Sequence, residues 1–307
     1  MKRKFSANGV MHVYQRTVSG FNIFYSTEDF IVLYTIISVQ ARKHGIRLLA
    51  ACLMIDHIHL LVSAESVMHL SRFVSAYTSQ FVRGFNARTG RKGPLFEKAY
   101  GSAMKLDNKK IRSAIAYLFN NPVEKQLCRN AEDYKWNFLA YYSPDKKMGA
   151  ECEKGRRFKR AADTIGQAFR AGRHLNHRFL ENIMKGMPAD SRNRLTDHII
   201  NLYFPFESQE LISYYGSYDK MVTAVNSNTG SEYEIAEKHY CKSDVPYREM
   251  MTHLKRKGQE DMHDVITLPE DMKRRYMNLL KTATSASYTQ IMKFLHLASP
   301  PSTKRLK

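Results

Sequence analysis

The chain has 307 residues, enough for one large domain or two of ordinary size, and its 43% hydrophobic and 25% charged residues are the balance of a soluble globular protein with a real core. Its 48 Lys plus Arg against 29 Asp plus Glu leave a net charge of +19, which points to a polyanion, either nucleic acid or an anionic membrane surface. No apolar run approaches the roughly 20 residues that span a bilayer, no signal-like apolar segment follows Met1-Lys2-Arg3-Lys4, and no amphipathic basic helix or lipid motif stands out, so nucleic acid is favoured over a membrane.

Val10 to Val18, β-branched and aromatic between Gly9 and Gly20, reads as a strand. Asp29 to Lys43 carries Phe30, Leu33, Ile36 and Ile37 at helical spacing and ends near Gly45. Arg47 to Ile55 and His57 to Ser63 are strand-like runs separated by Asp56. Val67 to Arg88 is a long helix with Leu70, Phe73, Val74, Tyr77, Phe81 and Phe85 along one side. Pro94 to Met104 reads as another strand, and Asn108 to Asn120 as a helix that Pro122 terminates. The order β-α-β-β-α-β-α predicts an α+β domain, a ferredoxin-like antiparallel sheet with helices on one face.

The stretch from Ser143 to Arg160 is polar, holds Pro and two Gly, and lacks apolar periodicity. It divides the chain into a domain at 1–145, a linker at 146–160 and a mostly α-helical C-terminal domain at 161–307. Residues 1–150 carry 22 basic and 10 acidic side chains, a net of +12, and the remainder a net of +7. Near the end, Pro269 to Thr282, with Met272, Tyr276 and Leu279 inward, and Ser287 to Leu297, with Ile291, Phe294 and Leu295 inward, form a helix pair. At 269–297 it is either a helix-turn-helix or an αα-hairpin packed on its own domain. His174 and His177, three apart without further ligands nearby, are read as surface residues. Cys52, Cys128, Cys152 and Cys241 are widely spaced with no C-x-x-C pair, so neither a disulfide framework nor a zinc finger is implied and the chain reads as cytoplasmic.

The sharpest chemical signal is Asp56-His57-Ile58-His59-Leu60-Leu61-Val62. Side chains alternate faces along a strand, so His57 and His59 project together as two nitrogen ligands on a rigid support. Alone, such a pair is more often two surface histidines on an exposed sheet face. Asp56 is expected on the opposite face, in a turn role. Further on, Tyr117 and Asn121 lie four apart on one side of a helix end, off the stripe of Ile111, Ile115 and Leu118. By itself Tyr117 is equally an ordinary amphipathic side chain.

Together these residues resemble a known family. The H-I-H run is similar to the HUH motif (His, bulky apolar, His) of single-tyrosine transposases. Y-L-F-N-N-P-V, starting at Tyr117, resembles the tyrosine helix of the REP-associated tyrosine transposases. F-N-A-R-T-G-R-K-G-P-L-F-E-K-A-Y between them and Asp133-Tyr134-Lys135-Trp136 after them resemble two further segments of that family, so four motifs fall in order over roughly residues 8–142. The resemblance implies that His57, His59 and Asn121 bind a divalent cation, Mg²⁺ or Mn²⁺, and that Tyr117 is the nucleophile. It implies a DNA strand transferase that cuts and rejoins single-stranded DNA at hairpin-forming repeats through a 5′-phosphotyrosine. Other readings are a domesticated DNA-binding or regulatory protein without turnover, and a nuclease that uses water. A second copy of the chain, forming a homodimer, is a further candidate partner.

Single strands are held by basic grooves and aromatic stacking. Arg83, Arg88, Arg91, Lys92 and Lys98, with Phe85, Phe96 and Tyr100 between them, supply both residue types, although Phe85 and Phe96 also fit a core role. The arm Lys2-Arg3-Lys4 and the cluster Lys109, Lys110 and Arg112 add phosphate contacts.

Overall fold

Four apolar segments pair into one antiparallel sheet: β1 (Val10–Arg16), β2 (Arg47–Met54), β3 (His57–Ser63) and β4 (Gly101–Met104), in the spatial order β2-β3-β1-β4. Three helices alternate with them: α1 (Thr27–Lys43), α2 (Val67–Thr89) and α3 (Asn108–Glu124). This is the ferredoxin-like order expected from the pattern, seen in a computed structural model that describes residues 5–97, 100–143, 155–227, 243–259 and 261–297.

Local chemistry sets the helix ends. Ser26 caps α1 and forms a capping box with Asp29; Ser66 caps α2, and Gly90, at φ +62°, closes it in the left-handed conformation. The stripe from Leu70 to Phe85 on α2 is buried throughout, as its spacing predicts. Two boundaries differ from the sequence reading. Among the described residues, the strand expected over 94–104 is paired from Gly101 to Met104, with an isolated bridge between Phe96 and Thr17. The helix expected to stop before Pro122 runs on to Glu124, because proline in a last turn forfeits only its own N–H bond while Lys125 N–H still donates to the Asn121 carbonyl.

The helices do not all share one face, contrary to expectation. Tyr77 and Thr78 on α2 both donate to Gln15 Oε1, at 2.5 and 3.2 Å, which places α2 on the face carrying Met11, Val13 and Gln15. α1 packs beside it. α3 lies across the opposite face, against β2 and β3.

The segment after α3 fastens this arrangement. Tyr134 Oη donates to the Leu53 carbonyl at 2.8 Å, Trp136 stacks on Phe30 with centroids 4.5 Å apart, and Tyr142 Oη donates to the Leu49 carbonyl. Leu49 sits at a register shift of the β2–β3 ladder, so Tyr142 satisfies a carbonyl beside the irregularity.

Among the described residues that follow, the regular structure is helical: α4 (Arg156–Arg170), α5 (His177–Met184), α6 (Ala189–Leu202), α7 (Ser208–Ser213), α8 (Tyr218–Asn226), α9 (Val245–Arg256), α10 (Asp264–Thr267), α11 (Glu270–Ala283) and α12 (Tyr288–Phe294). α4 therefore begins within the stretch read as a linker, and residues 146–154 lie outside the described ones. These helices share one hydrophobic cluster with the sheet domain. Tyr34 Oη and Ser38 Oγ donate to the carbonyls of Ile200 and Tyr203, and Tyr25 Oη donates to that of Phe294.

The helix pair predicted at 269–297 is present as α11 and α12. On α12, Ile291 and Phe294 are buried, with Leu295 just after it, as expected. On α11 the buried residues are Lys273 and Leu280, whereas Leu279 faces solvent. Among the described residues no helix is long and apolar enough to cross a membrane.

Tyr14 lies on Gly101 of the edge strand, and a Cβ at that glycine would stand 1.9 Å from the ring. Gly101→Ala should therefore destabilise the domain by about 1–3 kcal/mol in thermal or urea unfolding. Combining it with Tyr14→Ala should remove most of the added penalty, and additive losses would refute the clash.

Candidate active site

The hairpin register builds the site. His57 pairs with Met54 across a two-residue turn, Ile55-Asp56, and opposite it on β1 stands Arg16; His59 stands opposite Tyr14. His12, Tyr14, Arg16, His57 and His59 thus share the face that α3 covers. The histidines are not surface residues: His59 is 0% exposed, and His57 is also buried.

Each imidazole is gripped through Nδ1. His57 Nδ1 lies 2.6 Å from Asp56 Oδ1, and His59 Nδ1 lies 3.0 Å from His12 Nε2. With Nδ1 engaged, both rings direct Nε2 elsewhere, the orientation in which histidine ligates a metal. The two rings meet edge to face with centroids 4.9 Å apart.

Asp56 does not point away, as strand alternation had suggested. It occupies the turn, where that alternation no longer applies, and folds back onto the histidine that follows. Burial raises its pKa, but the hydrogen bond and charge of His57, helped by Lys293 and Lys125, outweigh that and hold it down to about 2. Lys293, on α12, brings its ammonium 3.8 Å from Asp56 Oδ2. Asp244, the N-cap of α9, belongs to the same charge network; burial and the neighbouring Asp56 carboxylate push its carboxyl up to about 6. Burial, followed by the nearby Lys105 charge, pushes His12 down to about 3, so it is neutral at pH 7.

Helix α3 supplies the remaining groups. Tyr117 is 2% exposed, and its ring meets His59 edge to face at 5.4 Å and His12 at 5.8 Å. Asn121 follows one turn later, with both side-chain polar atoms buried and making no hydrogen bond. The structure thus brings Tyr117 and the histidine pair together in one chain, with Asn121 on the same helix.

The predicted DNA contacts separate into groups. Lys109 and Arg112 are exposed and Lys110 half-buried on the first turns of α3, and Arg112 lies about 7.5 Å before Tyr117 along the axis at 1.5 Å per residue. Arg83 and Arg88 are on α2, across the sheet from the histidines. Arg88 is an internal tether, with Nη2 2.7 Å from Asp261 and Nη1 on Glu181, because carboxylates of the helical half neutralise it. Arg91 is half-buried and Lys92 exposed in the loop after α2. Phe85 and Phe96 are core residues. Lys2, Arg3, Lys4 and Lys98 lie outside the described residues.

His12, Arg16, Asp244 and Lys293 escaped the sequence reading. A lone His or Arg in an apolar strand carries no signal until the pairing register puts it beside His59 or His57.

Residues 10–121 match the family described as "Transposase IS200 like". No curated protein matches the chain. Among solved structures, the chain is similar to a REP-associated tyrosine transposase bound to a REP hairpin, with 15% identity and a TM-score of 0.39, covering 46% of this chain and 82% of that one.

When the His57 ring is neutral, the Asp56 bond makes Nδ1–H its expected tautomer. Asp56→Ala removes a charge-assisted bond worth about 1.5–3 kcal/mol. Two-bond ¹H–¹⁵N spectra of His57 should change from that single tautomer to a mixture, and an unchanged spectrum would show that Asp56 does not hold the ring.

Proposed function

We propose, with the IS200-like transposase domain at residues 10–121 as the premise, that this chain cleaves and rejoins single-stranded DNA at hairpin-forming repeats, with Tyr117 as nucleophile. The observation that supports it best is the edge-to-face meeting of the Tyr117 ring with His59, which is held through Nδ1 and packs against His57, on one buried sheet face.

The residues present fit a divalent cation. His57 and His59 offer imidazole nitrogen, and Asn121 has a buried amide that no other described group satisfies. Imidazole suits Mn²⁺, while Mg²⁺ prefers oxygen, so this mixed set accepts either. Such an ion offsets phosphate charge and stabilises the departing 3′ oxygen.

The chain's own residues do the rest. Asp56 and His12 fix the ring orientations of His57 and His59. Tyr117 Oη forms a bond to phosphorus as the bond from phosphorus to the 3′ oxygen breaks; the phenol loses its proton and the 3′ oxygen gains one. The products are a 5′-phosphotyrosine and a 3′-hydroxyl, which can react in reverse with a new strand end. A phenol with an ordinary pKa near 10 is a weak nucleophile at neutral pH, so charge compensation at phosphate is essential. Arg16, opposite His57, and Lys109, Lys110 and Arg112 on α3 provide cations around that phosphate.

Tyr117 is buried, so the scissile phosphate reaches it only when the covering segments part. In this reading the phenol acts with His59 of its own chain, beside which it stands. The exposed Arg156, Arg157, Lys159 and Arg160 on α4 suit the duplex part of a hairpin, in a protein acting on DNA in the cytoplasm.

Incubation of the full chain with hairpin-forming single strands from the flanks of its gene, plus Mn²⁺ or Mg²⁺, should give a covalent protein–DNA adduct on a denaturing gel. Tyr117→Phe should abolish the adduct, and His57→Ala or His59→Ala should lower it by about 100-fold or more. Undiminished cleavage by Tyr117→Phe would mean that water, not the phenol, attacks.

A further inference from the structure

Away from the histidine face, three ligand-type side chains from distant parts of the chain converge. Asp29 lies in the first turn of α1, His177 begins α5, and His263 immediately precedes α10. One ligand atom from each lies within 4.8 Å of the others. We propose that Asp29, His177 and His263 form a second metal site, selective for Zn²⁺-class ions, that pins the helical half of the chain to the transposase domain.

The carboxylate is fixed and aimed. Asp29 is 0% exposed; its Oδ2 accepts the backbone N–H groups of Tyr25 and Ser26 at 2.7 and 2.9 Å, which leaves Oδ1 facing the two histidines. His177 Nε2 lies 2.7 Å and His263 Nε2 2.9 Å from that single oxygen. A fully buried carboxylate requires a compensating positive charge, and both rings direct the same nitrogen at it.

An outer shell is also built. His263 Nδ1 lies 2.7 Å from Asp261 Oδ1, and the other oxygen of Asp261 is held by Arg88 at 2.7 Å. A carboxylate behind a histidine, with Nε2 turned inward, is the arrangement that orients zinc-binding imidazoles. Two imidazoles and one carboxylate are a common zinc donor set. Tetrahedral ligands about 2.0–2.1 Å from zinc stand about 3.3 Å apart, so the two oxygen–nitrogen separations of 2.7 and 2.9 Å would open by about half an ångström. His177, with its side chain 12% exposed, is on the side from which a water could complete the coordination.

Without an ion, a proton must do the same work. His263 then sits between two carboxylates as an imidazolium; burial opposes that charge, but Asp29 and Asp261 prevail and raise its pKa to about 9. An ion-pair hub is therefore the competing outcome, and metal stoichiometry separates the two.

The test uses the full chain carrying His57→Ala and His59→Ala, so that the first site cannot contribute. After chelator treatment and dialysis, it should bind one Zn²⁺ per chain by calorimetry and elemental analysis, and its Tm should rise by several degrees with Zn²⁺ but not with Mg²⁺. Adding His177→Gln, at the least buried of the three positions, should remove the bound equivalent and the Tm rise together; His263→Gln should do the same. The proposal is overturned if the His57→Ala/His59→Ala chain binds no Zn²⁺, since that result needs no further variant to fold. It is equally overturned if binding persists undiminished when His177 and His263 are both replaced by Gln.

Discussion

The antiparallel pairing of β3 with β1 and β2 is the constraint on which the site depends. Because side chains alternate with a period of two, that register decides which residues meet beneath α3. A slip of one residue would send His57 and His59 to the face covered by α2 and replace them with Ile58 and Leu60. The two-residue turn at Ile55-Asp56 fixes the register at one end, and it also sets a carboxylate against His57 Nδ1. One short hairpin therefore supplies two proposed ligands and the group that orients one of them.

Packing on both faces then preserves the arrangement. On the α2 face, Gln15 accepts from Tyr77 and Thr78, a buried polar link in an otherwise apolar layer. On the other face, α3 is backed by Asn137, whose amide donates to the carbonyls of Phe119 and Ala131 at 3.1 and 2.7 Å. The Tyr134-Lys135-Trp136 signature likewise has a mechanical role. It clamps β2 and α1, and Lys135 reaches Asp197 of the helical half at 2.7 Å.

The second half is bound to the first through specific polar contacts as well as apolar area. Asp29 illustrates this best, because one oxygen closes the capping box of α1 while the other meets histidines from two later helical segments. Arg88 is drawn into the same cluster, which is why a residue that fits a phosphate contact in the sequence is neutralised internally. At the far end of the chain, Lys293 extends the influence of α12 to Asp56, beside the proposed metal ligand His57.

Much of this was legible from residue pattern alone. Alternation and helical spacing gave the β-α-β-β-α-β-α order and the α2 stripe, since the burial of apolar side chains obeys those two periods. The histidine pair, Tyr117 and Asn121 lie on single elements with short, fixed spacing, but that spacing alone fits surface side chains equally well, and only the resemblance to single-tyrosine transposases singled them out. The approach of α3 to the histidine face, rather than the face of α1 and α2, depended on packing across the whole sheet. So did every partner more than one element away. His12 meets His59 only through strand register, and Asp29 finds His177 and His263, 148 and 234 positions further on, only when the chain is folded back. The net charge of +19 indicated a polyanion from the start. Which cations stay open to it was decided by the carboxylates that folding brings beside some of them.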